Sequence, residues 1–527
     1  MRGRRGLGRR CGRTLAAAWS LATWRWLVAA GVLLVIFPRT VPNATGDRSV
    51  FLAVAERLLQ GDRLYADVWD NKDPLFFWSL SLERLVWPEQ WDVLGEIAWI
   101  GLACLGVWHW SRALGSDKLP AWWAACVAAP LIITGDSYIA GMTSLPGTAL
   151  GILALGLAAR ERWTAAGTVG ALLCFTKMVV APIALVGALL VIQGRWRKAR
   201  GFFSAAVLVG LTILAALAAT GSLGPWITTQ GKNSAYANGM ISHGFLPGVA
   251  AQLAADGAPA WVIHLTLALT ATTMTIITTT GLLAIWARHR NPLGSRVLLW
   301  MTVATVLVAS LTTIWPHHRQ IFYLPALVAL GVATALVPAG NRRILAATMA
   351  AATVLSGFNP QLLVHDRYEF RGRLAVAASQ PAEGRALASL GPTGTFARVG
   401  GPRRADFRGA EGWHLACPQF HHYPFTPPAD LDATVASHPP MSSSWPPTSP
   451  SAPATIQSGT SSPPTSALSS RVTTRAPPSS WRARTWNGCA SVDGERATGP
   501  QQDGPPPEAC GGLWWRSSGV GLQPARR

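Results

Sequence analysis

Residues 46–77 read GDRSVFLAVAERLLQGDRLYADVWDNKDPLFF, and the rest of the chain is arranged around them. The stretch gathers Asp47, Arg48, Asp67, Asp70, Lys72 and Asp73 just after one apolar run and ahead of a long series of others. Its first half has helical periodicity: Phe51, Leu52, Val54, Ala55, Leu58 and Leu59 share one face, and Glu56, Arg57 and Gln60 share the other. Gly61 ends that pattern. A helix of this kind beside a membrane span is expected to lie in the headgroup plane, holding Asp47 at the lipid–water boundary. Residues 65–74 have no period and are rich in Asp, Asn and Trp, so an ordered loop is expected there.

Half of the 527 residues are hydrophobic and only 13% are charged, a balance that excludes one ordinary soluble domain and points to a polytopic membrane protein. The formal charge of +20 raises the question of nucleic acid. Much of the Arg and Lys lies in short runs beside apolar segments, as the positive-inside rule requires, and no nucleic-acid motif accompanies it. The seven cysteines are scattered, with Cys104, Cys126 and Cys174 in apolar segments and no spacing suited to zinc. Neither a disulfide framework nor a structural metal is signalled.

Working outward, Arg2, Arg4, Arg5, Arg9, Arg10 and Arg13 mark residues 1–14 as a basic cytoplasmic terminus, and 15–37 as an uncleaved first span. Further spans are expected at 93–110, 119–134 and 143–159. Across 163–192 one long helix would leave Arg195, Arg197, Lys198 and Arg200 outside, whereas two short spans broken near Thr176-Lys177 keep them inside. After a span at 202–220, the Gly, Asn and Pro of residues 221–259 argue against a folded domain in that loop. Spans at 260–286, 297–314, 321–337 and 344–358 complete the series. The fold class is therefore an all-α polytopic membrane protein of about eleven spans, with a large first external loop at 38–92 and an external carboxyl terminus. Asp47, Asp136, Lys177 and the His317-His318-Arg319 turn fall on the external side. Residues 359–440 read as a small external soluble segment. Residues 441–527 are rich in Ser, Pro, Thr and Arg and read as a disordered tail, with a shifted reading frame as the other account of the abrupt change.

Asp before an amphipathic helix, then Gly, Leu-Tyr, Asp-Val-Trp-Asp-Asn-Lys and Asp-Pro, resembles the first external loop of GT-C glycosyltransferases related to dolichyl-phosphate-mannose protein mannosyltransferases. The resemblance implies a GT-C-like transmembrane domain over 15–358. It also implies an inverting transferase that moves a sugar from a polyprenyl-phosphate donor to a cell-envelope acceptor hydroxyl. By the same resemblance Asp47 is the catalytic base, and Lys177, in its Thr-Lys context, meets the donor phosphate. His317, His318 and Arg319 match the family's His- or Arg-containing turn. The family often has Asp-Glu where this chain has Asp47-Arg48, which argues against a two-carboxylate metal site and leaves a single-base mechanism intact. Asp136 is the one acidic residue available where the family carries another in its second external loop.

The remaining candidates divide by chemistry. Arg48 and Lys72 join Lys177 and the His-His-Arg turn as groups for the donor phosphate, since cations stabilise the charge left on a departing phosphate. Tyr65, Asp70, Asp73 and Asp136 are candidates for acceptor binding or for ordering their loops, because Asp also bonds its own backbone in turns. Asp47 has a second reading as a helix cap, a task Ser49 also suits, and Lys177 has one as a snorkelling helix-end lysine. No cofactor is firmly implied, a divalent cation is left open, and no metal ligands are assigned. The partners are a polyprenyl-phosphate-linked sugar, a glycan, lipid or protein acceptor, and membrane lipids. A lipid-linked-sugar flippase or transporter is the rival reading, and a non-catalytic envelope membrane protein is the third, since a helical bundle alone does not define function.

Overall fold

The computed structural model describes residues 47–86, 92–133, 140–242, 248–313 and 316–336, together with Ser389 and two short strands. Residues 1–14, the expected spans at 15–37 and 344–358, Asp136, most of 359–440 and all of 441–527 lie outside the described residues. The strands, β1 (Gly394–Phe396) and β2 (Trp413–Leu415), pair in parallel with Gly394 opposite Trp413.

The described chain is otherwise helical. The 47–86 segment holds α1 (Asp47–Leu59) and α2 (Pro74–Val86). The bundle follows with α3 (Asp92–Ala113), α4 (Lys118–Ile133), α5 (Ser144–Ala159) and α6 (Trp163–Thr176). A 3₁₀ turn, Met178–Val180, joins α6 to α7 (Ala181–Ile192), and α8 (Arg200–Ala219) comes next. Then come α9 (Leu223–Ser242), α10 (Val249–Ala255), α11 (Ala260–Ala268), α12 (Ala271–Ala287) and α13 (Pro292–Thr312). The 3₁₀ segment Pro316–Phe322 leads into α14 (Tyr323–Leu336).

Among the described residues, four stretches are long and apolar enough to cross a membrane: Val93–Ala113, Arg200–Ala219, Pro292–Thr312 and His318–Leu336. A fifth span results if α11 and α12, which meet at an 82° bend, count as one. Where the sequence reading puts spans at 119–134, 143–159 and in two halves of 163–192, the structure has shorter apolar helices. Outward faces carry exposed apolar side chains, among them Val207, Leu208 and Leu211 of α8, Leu282 and Ile285 of α12, and Leu307 and Leu311 of α13. Such faces suit lipid rather than water.

Two cores organise the helices. The larger one fills the bundle around Trp110, Leu155, Ile183, Leu298 and Leu327, all fully buried. Trp110 Nε1 donates to the Val328 carbonyl at 3.1 Å, which ties α3 to α14. The crossing of α3 and α5 is close because both carry glycine there: a Cβ on Gly156 would stand 2.6 Å from the Gly106 carbonyl oxygen. The smaller core joins the 47–86 segment to one end of the bundle through Phe51, Val54, Leu64, Val68, Phe77, Phe175, Leu217 and Trp226.

Two local expectations change. The helix of the first loop begins at Asp47 itself and is buried nearly all round, since Val50 to Ala55 and Arg57 are all inside. It is therefore packed into protein instead of resting one face on headgroups. The cause is α2, against which Phe51 sets its ring edge-on to Phe76 and Phe77 at 5.2 and 6.1 Å. Pro74 opens α2 where its missing N–H has no helical partner to lose. The second change is α9, a twenty-residue helix inside the loop expected at 221–259.

Candidate functional site

The loop between α1 and α2 is built from its own polar groups. Arg57 donates to Asp62 at 2.7 Å and to Gln60 at 2.8 Å, closing the end of α1. Arg63 donates from its backbone N and its Nε to Asp67 Oδ2, both at 2.9 Å, and from Nη2 to Oδ1 at 2.8 Å. The hydrogen bonds from Arg63 hold the Asp67 carboxyl below its ordinary range. Tyr65 has φ of 65°, the left-handed region that a bulky residue adopts only when its surroundings hold it there. Its amide donates to Val68 O at 2.7 Å and its hydroxyl to Lys72 O at 2.6 Å. Burial pushes the phenol well above its ordinary value, with Asp73 and Asp70 adding to the effect. Tyr65 thus orders the loop.

The Asp70–Asp73 segment is the centre of the site. Asp70 is fully buried, and its Oδ1 accepts the Lys72 amide at 3.1 Å. The Lys72 ammonium donates to Asn71 Oδ1 and sits 5.3 Å from the centroid of the Phe51 ring. Phe51 follows Asp47 by one helical turn, so the two share a face of α1. Asp47 is half-buried in the first turn of α1, where a negative charge is favourable toward the helix N-terminus. Arg48 points elsewhere: it is buried, 3.8 Å from Glu83 of α2.

Asp73 reaches across to the bundle. Its Oδ2 accepts the Met178 amide at 2.9 Å, and its Oδ1 stands 3.5 Å from Gln230 Nε2. Burial raises the Asp73 carboxyl above its ordinary value, while the Met178 N–H and the Lys177 and Lys72 charges pull it down. Lys177 is the extended residue, φ −155° and ψ 85°, between α6 and the 3₁₀ turn. Two residues explain that break. Thr176 turns its hydroxyl back onto Leu172 O at 2.8 Å, and Pro182 near the start of α7 has no N–H with which to continue a helix from Met178. Opposite Lys177, α5 presents Gly147, where a Cβ would lie 2.7 Å from the Lys177 Cβ.

The structure therefore brings Tyr65, Asp70, Lys72, Asp73 and Lys177 together, while Asp47 stands in the first turn of α1. His318 and Arg319 sit on a neighbouring turn. His318 Nδ1 lies 3.0 Å from Thr312 O, and Arg319 Nη1 donates to Thr270 Oγ1 at 3.2 Å, in the α11–α12 bend. His317 belongs to the same 3₁₀ segment. The two regions share α5: Gly147 faces Lys177, and one turn later Gly151 faces Leu324, just beyond that segment. Among the described residues, no group of three or more His, Cys, Asp or Glu side chains is placed to hold a metal ion.

The sequence reading missed the α9 side of the site. Trp69 Nε1 donates to Thr229 Oγ1 at 2.8 Å, and Asn233 Nδ2 donates to Asn71 O at 3.1 Å. Thr229, Gln230 and Asn233 form one stripe of α9 at helical spacing, a polar pattern that poor helix-forming neighbours obscured.

No family model and no curated protein matches the sequence. Among solved structures the chain is similar to the oligosaccharyltransferase of Archaeoglobus fulgidus, crystallised in complex with zinc and sulfate. The identity is 15% and the TM-score 0.39, over 69% of this chain and 55% of that one. The chain thus spans little more than half the length of that enzyme, and a likeness at this level carries no inference about the site.

Proposed function

We propose that this chain is an inverting membrane glycosyltransferase that moves a sugar from a polyprenyl-phosphate donor to a cell-envelope acceptor hydroxyl on the external face. One observation carries the reading: the acidic loop and Lys177, more than a hundred residues apart, meet where two short apolar helices break. Such a place offers anionic and cationic groups at the end of an apolar bundle, which suits a substrate with a lipid tail and a charged head. In the proposed reaction the acceptor oxygen forms its bond to the anomeric carbon as the carbon–oxygen bond to phosphate breaks, its electron pair leaving with the phosphate. Asp47 takes the hydroxyl proton. Lys72 and Lys177 stabilise the departing phosphate, with Arg48, His317, His318 and Arg319 as the further candidate cations. Tyr65, Asp70 and Asp73 order the loop or meet the acceptor, and Asp136 is a candidate for the acceptor side. The amino terminus is cytoplasmic and the carboxyl terminus external in this reading.

The test is transfer by membranes containing the chain, with polyprenyl-phosphate mannose or arabinose as donor. New glycosidic product that needs Asp47 supports the proposal, and no product from either donor rejects it for those sugars. A transporter of lipid-linked sugar has its own support in the 82° bend between α11 and α12, because broken helices with polar groups at the break line transport sites. Movement of the labelled lipid across the bilayer without a new glycosidic bond would favour that reading.

A further inference from the structure

We propose that α9 is a clamp on the Trp69–Asp73 segment and that Thr229 and Asn233 are positioning residues for Lys72 and Asp73, an inference that rests on the transferase reading above. Three ties leave one stripe of α9. Thr229 Oγ1 accepts the Trp69 indole at 2.8 Å, Asn233 Nδ2 holds Asn71 O at 3.1 Å, and Gln230 faces Asp73 Oδ1 at the longer distance of 3.5 Å. The first two fall within ordinary hydrogen-bond geometry and the third at its limit, so Thr229 and Asn233 do most of the holding. Thr229 is itself fixed, since it is buried and its hydroxyl donates to Pro225 O at 2.9 Å. Below the stripe, Trp226 packs on Phe175 of α6 with ring centroids 5.7 Å apart, two residues before Lys177.

The arrangement has a geometric consequence. The loop is held from inside by Tyr65 and Asp70, but those bonds set only its own shape. Its place relative to Lys177 is set broadly by the smaller core, which it shares with Phe175, and finely by the polar ties that cross to the bundle, the Asp73–Met178 bond and the α9 stripe. Because α9 also packs on the end of α6, one helix registers both halves of the cationic site, Lys72 on the loop and Lys177 at the break. The ligand served is the phosphate of the lipid-linked donor, whose two flanking ammonium groups α9 keeps at a fixed spacing.

The experiment compares the full chain in lipid nanodiscs with Thr229→Val, Thr229→Ser and Asn233→Ala. Hydrogen exchange of the peptide covering residues 65–73 is read beside KM and kcat for polyprenyl-phosphate mannose. Loss of one such bond is expected to speed exchange in that peptide roughly threefold to tenfold, leaving 144–159 unchanged. Donor KM should rise by a similar factor with kcat less affected, and Thr229→Ser, which keeps the hydroxyl, should restore both. Unchanged exchange in both the Val and Ala variants overturns the clamp whatever the kinetics do. Faster exchange with unchanged donor KM overturns the positioning role. Faster exchange in the variants, where the wild-type chain transfers no sugar from this donor, leaves the clamp standing and rejects the transferase reading for mannose. If Thr229→Val does not insert, Trp69→Phe breaks the same bond from the loop side and is read against the same outcomes.

Discussion

The Asp73 carboxylate accepts the Met178 backbone amide at 2.9 Å, across 105 residues of sequence. This bond fixes the acidic loop to the place where the α6–α7 segment leaves the helix. A buried acceptor serving a helix-break amide has two tasks that oppose each other, since burial disfavours its charge while the N–H and two nearby lysines favour it.

The balance has a sign that pH reveals. The folded Asp73 carboxyl keeps its proton to higher pH than the ordinary value of 3.8, so the folded state binds more protons in that window. Stability attributable to this residue therefore falls as pH rises from about 3.8 through the raised folded value. Asp73→Asn retains an oxygen for Met178 and lacks the charge, so the difference in unfolding temperature between variant and wild type should shift in the variant's favour over that window. A difference that stays flat with pH would show that the charge is not penalised. Asp73→Ala abandons the amide and should cost about 1–3 kcal/mol.

Replacing Lys177 by Gln should weaken donor binding roughly tenfold to a hundredfold, the loss of one charge-assisted contact. Arg319→Gln should act in the same direction and also loosen the bend at Thr270. Titration with a polyprenyl-phosphate sugar measures both. Unchanged donor affinity in both variants returns these residues to the interfacial role of helix-end cations.

Asp47→Asn keeps the side chain's size in the first turn of α1 and removes its capacity to take a proton. Loss of a general base commonly lowers rate by roughly 10²–10⁴. Loss of a favourable charge near a helix N-terminus costs only about 0.3–1 kcal/mol. A well-inserted variant with near-normal transfer would reject the catalytic assignment, and a destabilised one would point to a structural role.

Two glycines of α5 separate fold from site. Gly156→Ala sets a Cβ 2.6 Å from a backbone oxygen of α3, which cannot yield without moving the helix, so a stability loss of about 1–3 kcal/mol is expected. Gly147→Ala drives its Cβ against Lys177 at 2.7 Å. There the displacement falls on the site, and donor affinity should drop by more than stability predicts. Thermal unfolding beside donor titration distinguishes the two, and equal effects on both measurements in both variants would show no local role for Gly147.

Several of these relationships were legible in the sequence and others were not, for identifiable reasons. The break at Lys177 followed from the basic run at 195–200, because charge placement constrains where an apolar stretch must turn. Helix α1 followed from its period, but its burial did not, since that depends on α2, and the Pro74 start signal for α2 was masked by the loop-like run before it. Helix α9 was hidden by its Gly, Asn and Thr content, all poor helix formers, and is held by what it packs against instead of by propensity. The 82° bend in 260–287 left only a Thr-rich stretch as its trace.

The broken segment also sets a depth. With 14 residues in α6 and 12 in α7, the two helices rise about 21 and 18 Å, against roughly 30 Å of hydrocarbon in an ordinary bilayer. In the reading of α6 and α7 as two short spans, Lys177 at their junction lies roughly 10 Å short of where a full span would carry it, and the bilayer is expected to thin around the pair. Acyl-chain length then becomes a variable of the protein as much as of its solvent. Transfer should run faster in vesicles of short-chain than of long-chain lipid, and a rate indifferent to chain length would place Lys177 at the surface by some other distortion of the bundle.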